Sequence, residues 1–243
     1  MTTDFSWLSR TELLIGEASL NKLAAAHVMI VGLGGVGSFA AEFIVRSGVG
    51  EVTIIDGDIV DPTNRNRQLP ALATNHGQYK ATIMEERLKA INPELKINVI
   101  KEFINPENVS QHLDGKIDYI IDAIDSVTPK ITFMVAAYHK NIPLVSSMGS
   151  GGKMDPTALM IKDISKTYNC VFAQQIRKML KVDHQIRNGI ECVFSPELPK
   201  KESLILTDGS NYKKSAYGTI SYMPAIFGAV TASVAIRKLI KDL

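Results

Sequence analysis

The sequence predicts an α/β fold: a doubly wound sheet that is parallel in its first half. Apolar runs of strand length alternate with helical segments at the spacing of strand–helix–strand units. The first of these runs leads directly into a glycine-rich turn, GLGGVG, that opens a helix, as in a dinucleotide-binding unit. We therefore expect a Rossmann-like sheet, extended after residue 152 by further strands and a terminal helix. With 243 residues, 45% of them hydrophobic, the chain is long enough to bury a large core.

Residues 1–26 are expected to be a helical arm, with a helix over residues 11–26. The apolar side chains of this helix are Leu13, Leu14, Leu20 and Leu23. A nucleotide-binding domain should follow over residues 27–152. Its strands are predicted at residues 27–32, 51–56, 97–103, 119–125 and 143–147. Its helices are predicted at residues 36–47, 77–91 and 129–140.

After the glycine-rich segment 149–152, which we expect to be flexible, the pattern changes. Residues 153–243 should form a C-terminal part of the same globule. Strand-like runs occur at residues 158–164, 191–195 and 203–208, and a basic helical stretch at residues 172–181. The last helix, over about residues 223–241, is interpreted as core or dimer packing. No membrane association is expected, because this helix is short and ends in RKLIKDL.

The glycine turn points to a nucleotide. A GxGGxG turn between a strand and a helix lets backbone N–H groups and the helix N-terminus face a phosphate. The glycines of this turn are Gly32, Gly34, Gly35 and Gly37. Asp56 ends the second strand 19 residues after Gly37, where a carboxylate can accept hydrogen bonds from ribose hydroxyls. The alternative is a glycine turn that only packs the helix on the sheet.

The residues after the second strand favour adenylyl transfer over hydride transfer. The segment DGDIVDPTNRNRQ brings cations to the expected phosphate site, and Lys80 lies at the start of the next helix. Asp122 and Asp125 end the fourth strand, at the sheet edge where open α/β sheets bind ligands. Cations near an α-phosphate and a carboxylate for Mg²⁺ suit a triphosphate. Each residue alone has a plainer interpretation, Arg65 as a surface charge and Asp122 as a sheet-end cap.

Several motifs resemble the adenylating domain of ubiquitin-activating enzymes and their bacterial relatives, the ThiF, MoeB and HesA proteins. These motifs are GLGGVGS, DGDIVDPTNRNRQ, GQYKA, INPELKI and DAIDS. The resemblance implies an enzyme that binds ATP with Mg²⁺ and converts a carboxylate into an acyl-adenylate. It also implies a homodimer.

Carried over by motif, the resemblance assigns roles to individual residues. Asp56 would hold the ribose and Asp125 the metal, while Arg10 would reach the γ-phosphate across the dimer. Ser126 stands where the family often has Asn, which removes one ligand but not the carboxylate. The implied catalytic set is Arg10, Asn64, Arg67, Lys80 and Asp125. The remaining nucleotide-binding candidates are Gly32, Gly34, Gly35, Gly37, Asp56, Asp58, Gln68, Asp122 and Ser126.

Motifs outside the nucleotide unit resemble one branch of this family. They are KMDPT, KDISKT, ECVFSPE and GTISYMPAIFG. Members of that branch activate the threonyl carboxylate of a modified adenosine, which lies next to the anticodon of ANN-decoding tRNA. They then close the carboxylate onto the carbamoyl group with loss of water. The resemblance therefore implies a tRNA substrate.

The two cysteines, Cys170 and Cys192, form no CxxC pair, so no zinc site is expected. Sulfur-carrier activators of the family commonly carry such pairs. A ring closure needs no protein thiol, because the attacking group belongs to the substrate. Cys170 lies where relatives sometimes carry a reactive thiol, with an ordinary cysteine as the alternative; a sulfur-relay or cysteine desulfurase partner stays open. Few cysteines and no secretory signal favour a cytoplasmic protein.

Charge is distributed unevenly along the chain. Residues 1–150 carry 13 Lys and Arg against 17 Asp and Glu, a net −4, and residues 151–243 carry 14 against 8, a net +6. A basic C-terminal half suits the phosphates of tRNA, although scattered surface charge explains it equally simply. The candidate phosphate contacts are Lys162, Lys166, Arg177, Lys178, Lys181, Lys200, Lys201, Lys213 and Lys214. Tyr212 and Tyr217 could stack on bases.

Three other functions stay open at this point. The first alternative is adenylation of the C-terminal glycine of a ubiquitin-like sulfur carrier, as in molybdopterin or thiamine synthesis. A hydride-transferring Rossmann enzyme is the second. The third is a nucleotide sensor without catalysis, which would not release pyrophosphate over many turnovers.

Overall fold

The computed structural model describes residues 6–207 and 215–241. Seven of its strands form one sheet: β1 (His27–Val31), β2 (Glu51–Ile55), β3 (Lys96–Ile100), β4 (Tyr119–Asp122), β5 (Leu144–Ser147), β6 (Met160–Asp163) and β7 (Glu191–Phe194). Their order is β3-β2-β1-β4-β5-β7-β6. All neighbours pair in parallel except β6, which runs antiparallel to β7. The chain order reverses between β1 and β4, and a crevice opens at such a point in an α/β sheet.

Eight α-helices and a small ribbon complete the described part of the chain. The helices are α1 (Ser9–Ile15), α2 (Glu17–Ala25), α3 (Gly37–Arg46), α4 (Lys80–Ile91), α5 (Val109–His112), α6 (Val127–His139), α7 (Val171–Asp183) and α8 (Tyr222–Ile240). The ribbon pairs β8 (Leu204–Leu206) with β9 (Ser215–Tyr217) in antiparallel fashion.

Helices cover both faces of the sheet, which confirms the predicted doubly wound architecture. Successive residues of β1 point to opposite faces. Val28 and Ile30 join one core with residues of α3, α4 and α8, whereas Met29 and Val31 join a second core with residues of α5, α6 and α7. A strand buried on both faces reads as a continuous apolar run, which is why HVMIV carries no polar alternation.

The N-terminal arm differs from the prediction of one helix over residues 11–26. Gly16 interrupts it at φ +80°, a conformation that favours glycine, so α1 ends and α2 begins there. Leu20 and Leu23 of α2 are buried in the globule, but Leu13 and Leu14 of α1 are 89% and 85% exposed. The four leucines therefore do not share one packing face.

Most other predicted elements are present with shifted ends. The third and fourth strands end earlier than predicted, at Ile100 and Asp122. Segment 149–152 is joined to the C-terminal part through hydrogen bonds from Gly152 N–H to the Gly218 carbonyl and from Lys200 N–H to the Gly152 carbonyl. Helix α5 and strand β9 were not predicted, since both are too short to show a periodic pattern.

The C-terminal part continues the same sheet, because β7 pairs with β5. Helix α8 packs on α3 and contributes Met223, Phe227 and Val234 to the core. By length and composition α8 is long and apolar enough to cross a membrane, but buried helices of globular cores meet the same criterion. The division into an arm, residues 27–152 and residues 153–243 stays a prediction.

Candidate active site

A deep depression lies at the switch point of the sheet. It is a cavity of about 690 Å³. Its walls come from the turns after β1, β2, β4 and β5 and from residues of α7 and the β8–β9 ribbon. One end is therefore built by the predicted nucleotide motifs and the other by the C-terminal half.

The four glycines of the turn after β1 meet different constraints. Gly32 has φ +87°, and a Cβ there would lie 2.8 Å from the Ala123 carbonyl oxygen. A Cβ on Gly37 would lie 1.7 Å from the Gly32 carbonyl oxygen, and one on Gly35 would lie 2.8 Å from Cβ of Pro224. These three positions need glycine for backbone conformation or packing.

Gly34 differs from these three positions. A Cβ there would meet nothing closer than Nε2 of Gln68, at 3.7 Å, and Gly34 borders the cavity. The space in front of the Gly34 Cα is therefore empty, and a ligand could approach the backbone closely there. Oε1 of Gln68, also beside the cavity, is a buried acceptor without a hydrogen-bond partner in the structure. A hydroxyl or amino donor of a nucleotide would satisfy it.

Asp56 is held in place by the backbone on both carboxylate oxygens. Leu33 N–H donates to Oδ2 at 2.5 Å and Asp58 N–H donates to Oδ1 at 2.7 Å. Burial raises the pKa of the Asp56 carboxyl, while Lys80 and these two N–H groups act in the opposite direction. Each oxygen retains a lone pair for a further donor, so the residue could still accept a ribose hydroxyl.

Lys80 enters the cavity from the first turn of α4. Only 3% of its surface is exposed, and Nζ lies 2.6 Å from Oδ2 of Asp58. The half-exposed Asp58 carboxylate thus neutralises a buried ammonium.

Asn64 and Arg67 come from the loop after β2, and both line the cavity. Asn64 is buried, and Oδ1 accepts from Asp61 N–H at 3.2 Å. The Arg67 guanidinium donates through Nη1 to the Thr63 carbonyl at 3.0 Å and to Oδ1 of Asn66 at 2.9 Å. Arg65 is exposed and lies outside the cavity lining, in line with its plainer interpretation as a surface charge.

Asp122 does not line the cavity, although the sequence made it a nucleotide-binding candidate. Its side chain is fully buried, with Oδ2 2.8 Å from Nζ of Lys130 and 2.7 Å from Oγ of Ser146. Lys130 Nζ also donates to the carbonyls of Ile124 and Ser147, at 3.1 and 2.9 Å. The pair thus fastens the turns after β4 and β5, and Asp122 acts on the site through the loop that follows it.

Lys130 is a residue that the sequence analysis missed. Its signal was a lysine in the first turn of the helix that follows a strand-ending acid, within the motif DAIDSVTPK. Asp125 and Ser126, which lie between the two partners, border the cavity; Asp125 is exposed and Ser126 is 7% exposed.

Arg10 lies away from this cavity. It is exposed on α1 and is absent from the cavity lining. Within one chain the structure therefore does not bring Arg10 together with Arg67, Lys80 and Asp125. The predicted contact across a dimer stays a prediction.

The other end of the cavity is lined by the residues after β5, the start of α7 and the ribbon. It includes Met148, Lys153, Cys170, Phe172 and Tyr217. Cys170 is 5% exposed. Cys192 is fully buried in β7, and burial raises the pKa of its thiol well above the ordinary value. Its prediction as a core residue is confirmed.

The basic residues of the C-terminal half are not equivalent. Arg177 is engaged by the loop before α7, since Nη1 donates to the carbonyl and Oγ1 of Thr167 at 2.5 and 2.6 Å. The exposed candidates are Lys162, Lys166, Lys178, Lys181, Lys200 and Lys201. Tyr217 is partly buried against the cavity. Tyr212, Lys213 and Lys214 lie outside the described residues.

The residues around the cavity fit a nucleotide with Mg²⁺. In the described ranges, no three His, Cys, Asp or Glu side chains converge on a common metal position. Mg²⁺ is usually held by one or two carboxylates together with substrate phosphates and water. Asp125 and Asp58 at the cavity supply that number of carboxylates.

Fold and cavity together define the class, a Rossmann-like α/β protein with a ligand site at a glycine turn. The sequence pattern of the ThiF family matches residues 8–242, and the chain belongs to this family.

Within the family, the chain is similar over nearly its whole length to proteins named tRNA threonylcarbamoyladenosine dehydratase. The Escherichia coli (strain K12) protein is 38% identical, with 96% of this chain and 94% of the relative covered. The Bacillus subtilis (strain 168) protein is 39% identical, with 97% and 95% covered. The crystal structure of the E. coli dehydratase in complex with ATP superposes with a TM-score of 0.89 at 38% identity, covering 98% of this chain and 96% of that one.

Two glycine variants should separate stability from ligand binding. Gly37→Ala is expected to lower the free energy of unfolding by at least about 2 kcal/mol, because its methyl group overlaps the Gly32 carbonyl. Gly34→Ala has room, so it should keep stability within about 1 kcal/mol but weaken ATP binding at least about tenfold. Urea unfolding and calorimetry measure the two effects. Equal midpoints for both variants, or unchanged ATP affinity in Gly34→Ala, would contradict these roles.

The buried pair should behave as one unit. Lys130→Met leaves the Asp122 charge buried without its partner, which costs about 3–5 kcal/mol of unfolding free energy. Adding Asp122→Asn should recover part of this loss, since no charge is then left unpaired. Urea unfolding of the single and double variants gives the coupling energy. A double variant no more stable than Lys130→Met would count against a functional ion pair.

Proposed function

We propose that this protein uses ATP to adenylate the threonyl carboxylate of N6-threonylcarbamoyladenosine in tRNA and then closes the activated carboxylate into a ring, with net loss of water. The observation that carries the proposal is the likeness over nearly the whole chain, at 38–39% identity, to proteins named for this dehydration. It includes the C-terminal residues that line the far end of the cavity. The known complex of a relative with ATP supports the choice of nucleotide.

In the proposed first step, a carboxylate oxygen of the substrate attacks the α-phosphorus of ATP and pyrophosphate leaves. Phosphate oxygens would occupy the space at Gly34, and Asp56 would accept from a ribose hydroxyl; the open space at Gly34 and the fixed carboxylate of Asp56 support this assignment. Arg67 and the buried Lys80 would offset charge that develops on the phosphates. A bound Mg²⁺ would neutralise further phosphate charge, and Asp125 is the residue that we propose holds it.

In the proposed second step, a carbamoyl atom of the same substrate attacks the acyl carbon, an N–H proton of the carbamoyl group is released, and AMP leaves. The chain has no need to supply a nucleophile, because both reacting groups belong to one molecule and are held close. Water must be excluded, since it would hydrolyse the adenylate. Phe172 and Tyr217 at the far end of the cavity would help to exclude it.

We further propose a homodimer in which Arg10 of one chain reaches the phosphates bound by the other. Its helix α1 exposes Leu13 and Leu14 almost completely, and adjacent exposed leucines favour contact with another surface. We also propose that residues 153–243 form the tRNA-binding part and that the protein works in the cytoplasm. The exposed lysines of α7, Lys178 and Lys181, support a phosphate-binding face.

Adenylation of a sulfur carrier is the second candidate, and the nucleotide half of the site would serve it equally well. The likeness of the C-terminal half to the dehydratases favours tRNA, since that half lines the far end of the cavity, where the group to be adenylated would bind. A sulfur-relay partner has no separate support.

The direct test is mass spectrometry of nucleosides from tRNA incubated with the protein, ATP and Mg²⁺. The modified adenosine should lose the mass of one water, and AMP and pyrophosphate should accumulate. Lys80→Ala is expected to slow this at least about 100-fold, whereas Lys89→Ala, an exposed position on the same helix, should not. Absence of the mass change, together with pyrophosphate exchange on a protein ending in Gly-Gly, would favour the sulfur-carrier alternative.

The proposed tRNA face predicts a specific kinetic pattern. Lys178→Glu with Lys181→Glu should raise KM for tRNA several-fold and leave KM for ATP unchanged, because both residues are exposed on α7. The log–log slope of tRNA affinity against salt should fall by about one unit per lysine removed. Lys96→Glu, exposed at the start of β3, is the matched control. An unchanged slope in the α7 variant would remove α7 from the tRNA interface.

A further inference from the structure

Three lysines among the described residues are buried, and they differ in how their charge is neutralised. Lys80, Lys130 and Lys153 are 3%, 0% and 4% exposed. Nζ of Lys80 lies 2.6 Å from an oxygen of Asp58, and Nζ of Lys130 lies 2.8 Å from one of Asp122. Burying an ammonium is costly unless an opposite charge is near, and these two pairs follow that rule.

Lys153 has no such carboxylate. Its Nζ donates to the carbonyl oxygens of Ser195 and Glu197, at 2.9 and 2.6 Å. No carboxylate oxygen of the described residues lies within 4.0 Å of it. The Glu197 carboxylate is turned to other donors, the N–H groups of Met154 and Asp155. Two carbonyl oxygens are therefore the direct partners of the ammonium group. Burial lowers the pKa of Lys153, while the Cys170 thiol and the Glu197 carboxylate act in the opposite direction from a greater distance.

Lys153 lies at the end of the cavity away from the glycine turn. It borders the cavity shortly after β5, two strands along the sheet from the glycine turn after β1. Neighbouring strands lie about 4.8 Å apart, so the ends of β1 and β5 are separated by about 10 Å. The cations Arg67 and Lys80 border the nucleotide end. Among the described residues, Lys153 is thus the buried cation at the far end of the cavity, opposite the nucleotide end.

We propose that Lys153 binds the carboxylate of the substrate, the group that is to be adenylated. This inference rests on the proposed function. An ammonium has three N–H donors, and the two carbonyls use two of them. The third can donate to a carboxylate oxygen, and the carboxylate supplies a negative charge in direct contact, which no described side chain does. Once the carboxyl group becomes a neutral acyl centre, this attraction is lost, which helps the acyl group to move on to ring closure.

A carboxylate-dependent binding measurement tests this role without relying on turnover. The probes are two anticodon stem-loop RNAs of the same sequence, one with N6-threonylcarbamoyladenosine and one with unmodified adenosine, titrated in the absence of ATP. The native protein should bind the modified RNA at least about tenfold more tightly, the scale of one charge-assisted hydrogen bond. Lys153→Gln and Lys153→Met should abolish this preference while keeping affinity for the unmodified RNA and for ATP.

Two features of the design separate loss of the Lys153 charge from loss of the fold. Lys153→Gln keeps an amide that can donate to the Ser195 and Glu197 carbonyls but removes the charge, so it isolates the electrostatic effect. Lys96→Gln removes an exposed lysine from β3 and should retain the full preference. Circular dichroism confirms that each variant is folded.

The outcomes are distinguishable. A folded Lys153→Gln protein that keeps the tenfold preference overturns the inference and leaves the proposed function intact. A drop in ATP affinity with the preference retained also overturns it, because Lys153 would then serve the nucleotide. A native protein that binds both RNAs equally would instead reject the proposed substrate itself.

Discussion

The buried ion pair of Asp122 and Lys130 is the constraint on which the candidate site depends most. Both side chains are inaccessible to solvent, and Lys130 also holds the carbonyls of Ile124 and Ser147. The ends of β4 and β5 are therefore tied to one ammonium group. Because Asp125 and Ser126 lie in the loop that this group anchors, their position at the cavity follows from a contact between two residues outside the cavity lining.

The glycine turn also combines residues that the fold requires with a residue that borders the cavity. Gly32, Gly35 and Gly37 satisfy the backbone and its close neighbours, whereas Gly34 leaves room in the cavity. One motif thus contains residues that the fold requires and one that leaves space at the cavity. Glycines that look alike in the sequence would have different effects when replaced, because the atoms facing each missing Cβ differ.

The sequence predicted the alternation of strands and helices well, because buried apolar runs and helical periodicity are local signals. The four candidates Asn64, Arg67, Lys80 and Asp125 all border the cavity at the switch point, because they lie in the loops after β2 and β4 or open α4; their roles stay predictions. The sequence did not separate Asp122 from Asp125, because a strand-ending acid looks the same whether it faces a ligand or a buried lysine. Lys153 carried no local signal, since its lack of a carboxylate partner is a property of the folded neighbourhood alone.

The packing of α8 on the glycine turn also bears on how the protein is made. Pro224 lies against Gly35, and a Cβ on Gly228 would lie 2.5 Å from the Val36 carbonyl oxygen. The N-terminal motif is thus completed by a helix that is synthesised about 190 residues later. Until α8 has been made, the turn lacks one wall and the apolar residues of α3 that face α8 are uncovered. The nascent chain therefore has to extend through α8 before this wall of the turn exists, and it depends on protection from aggregation during that interval.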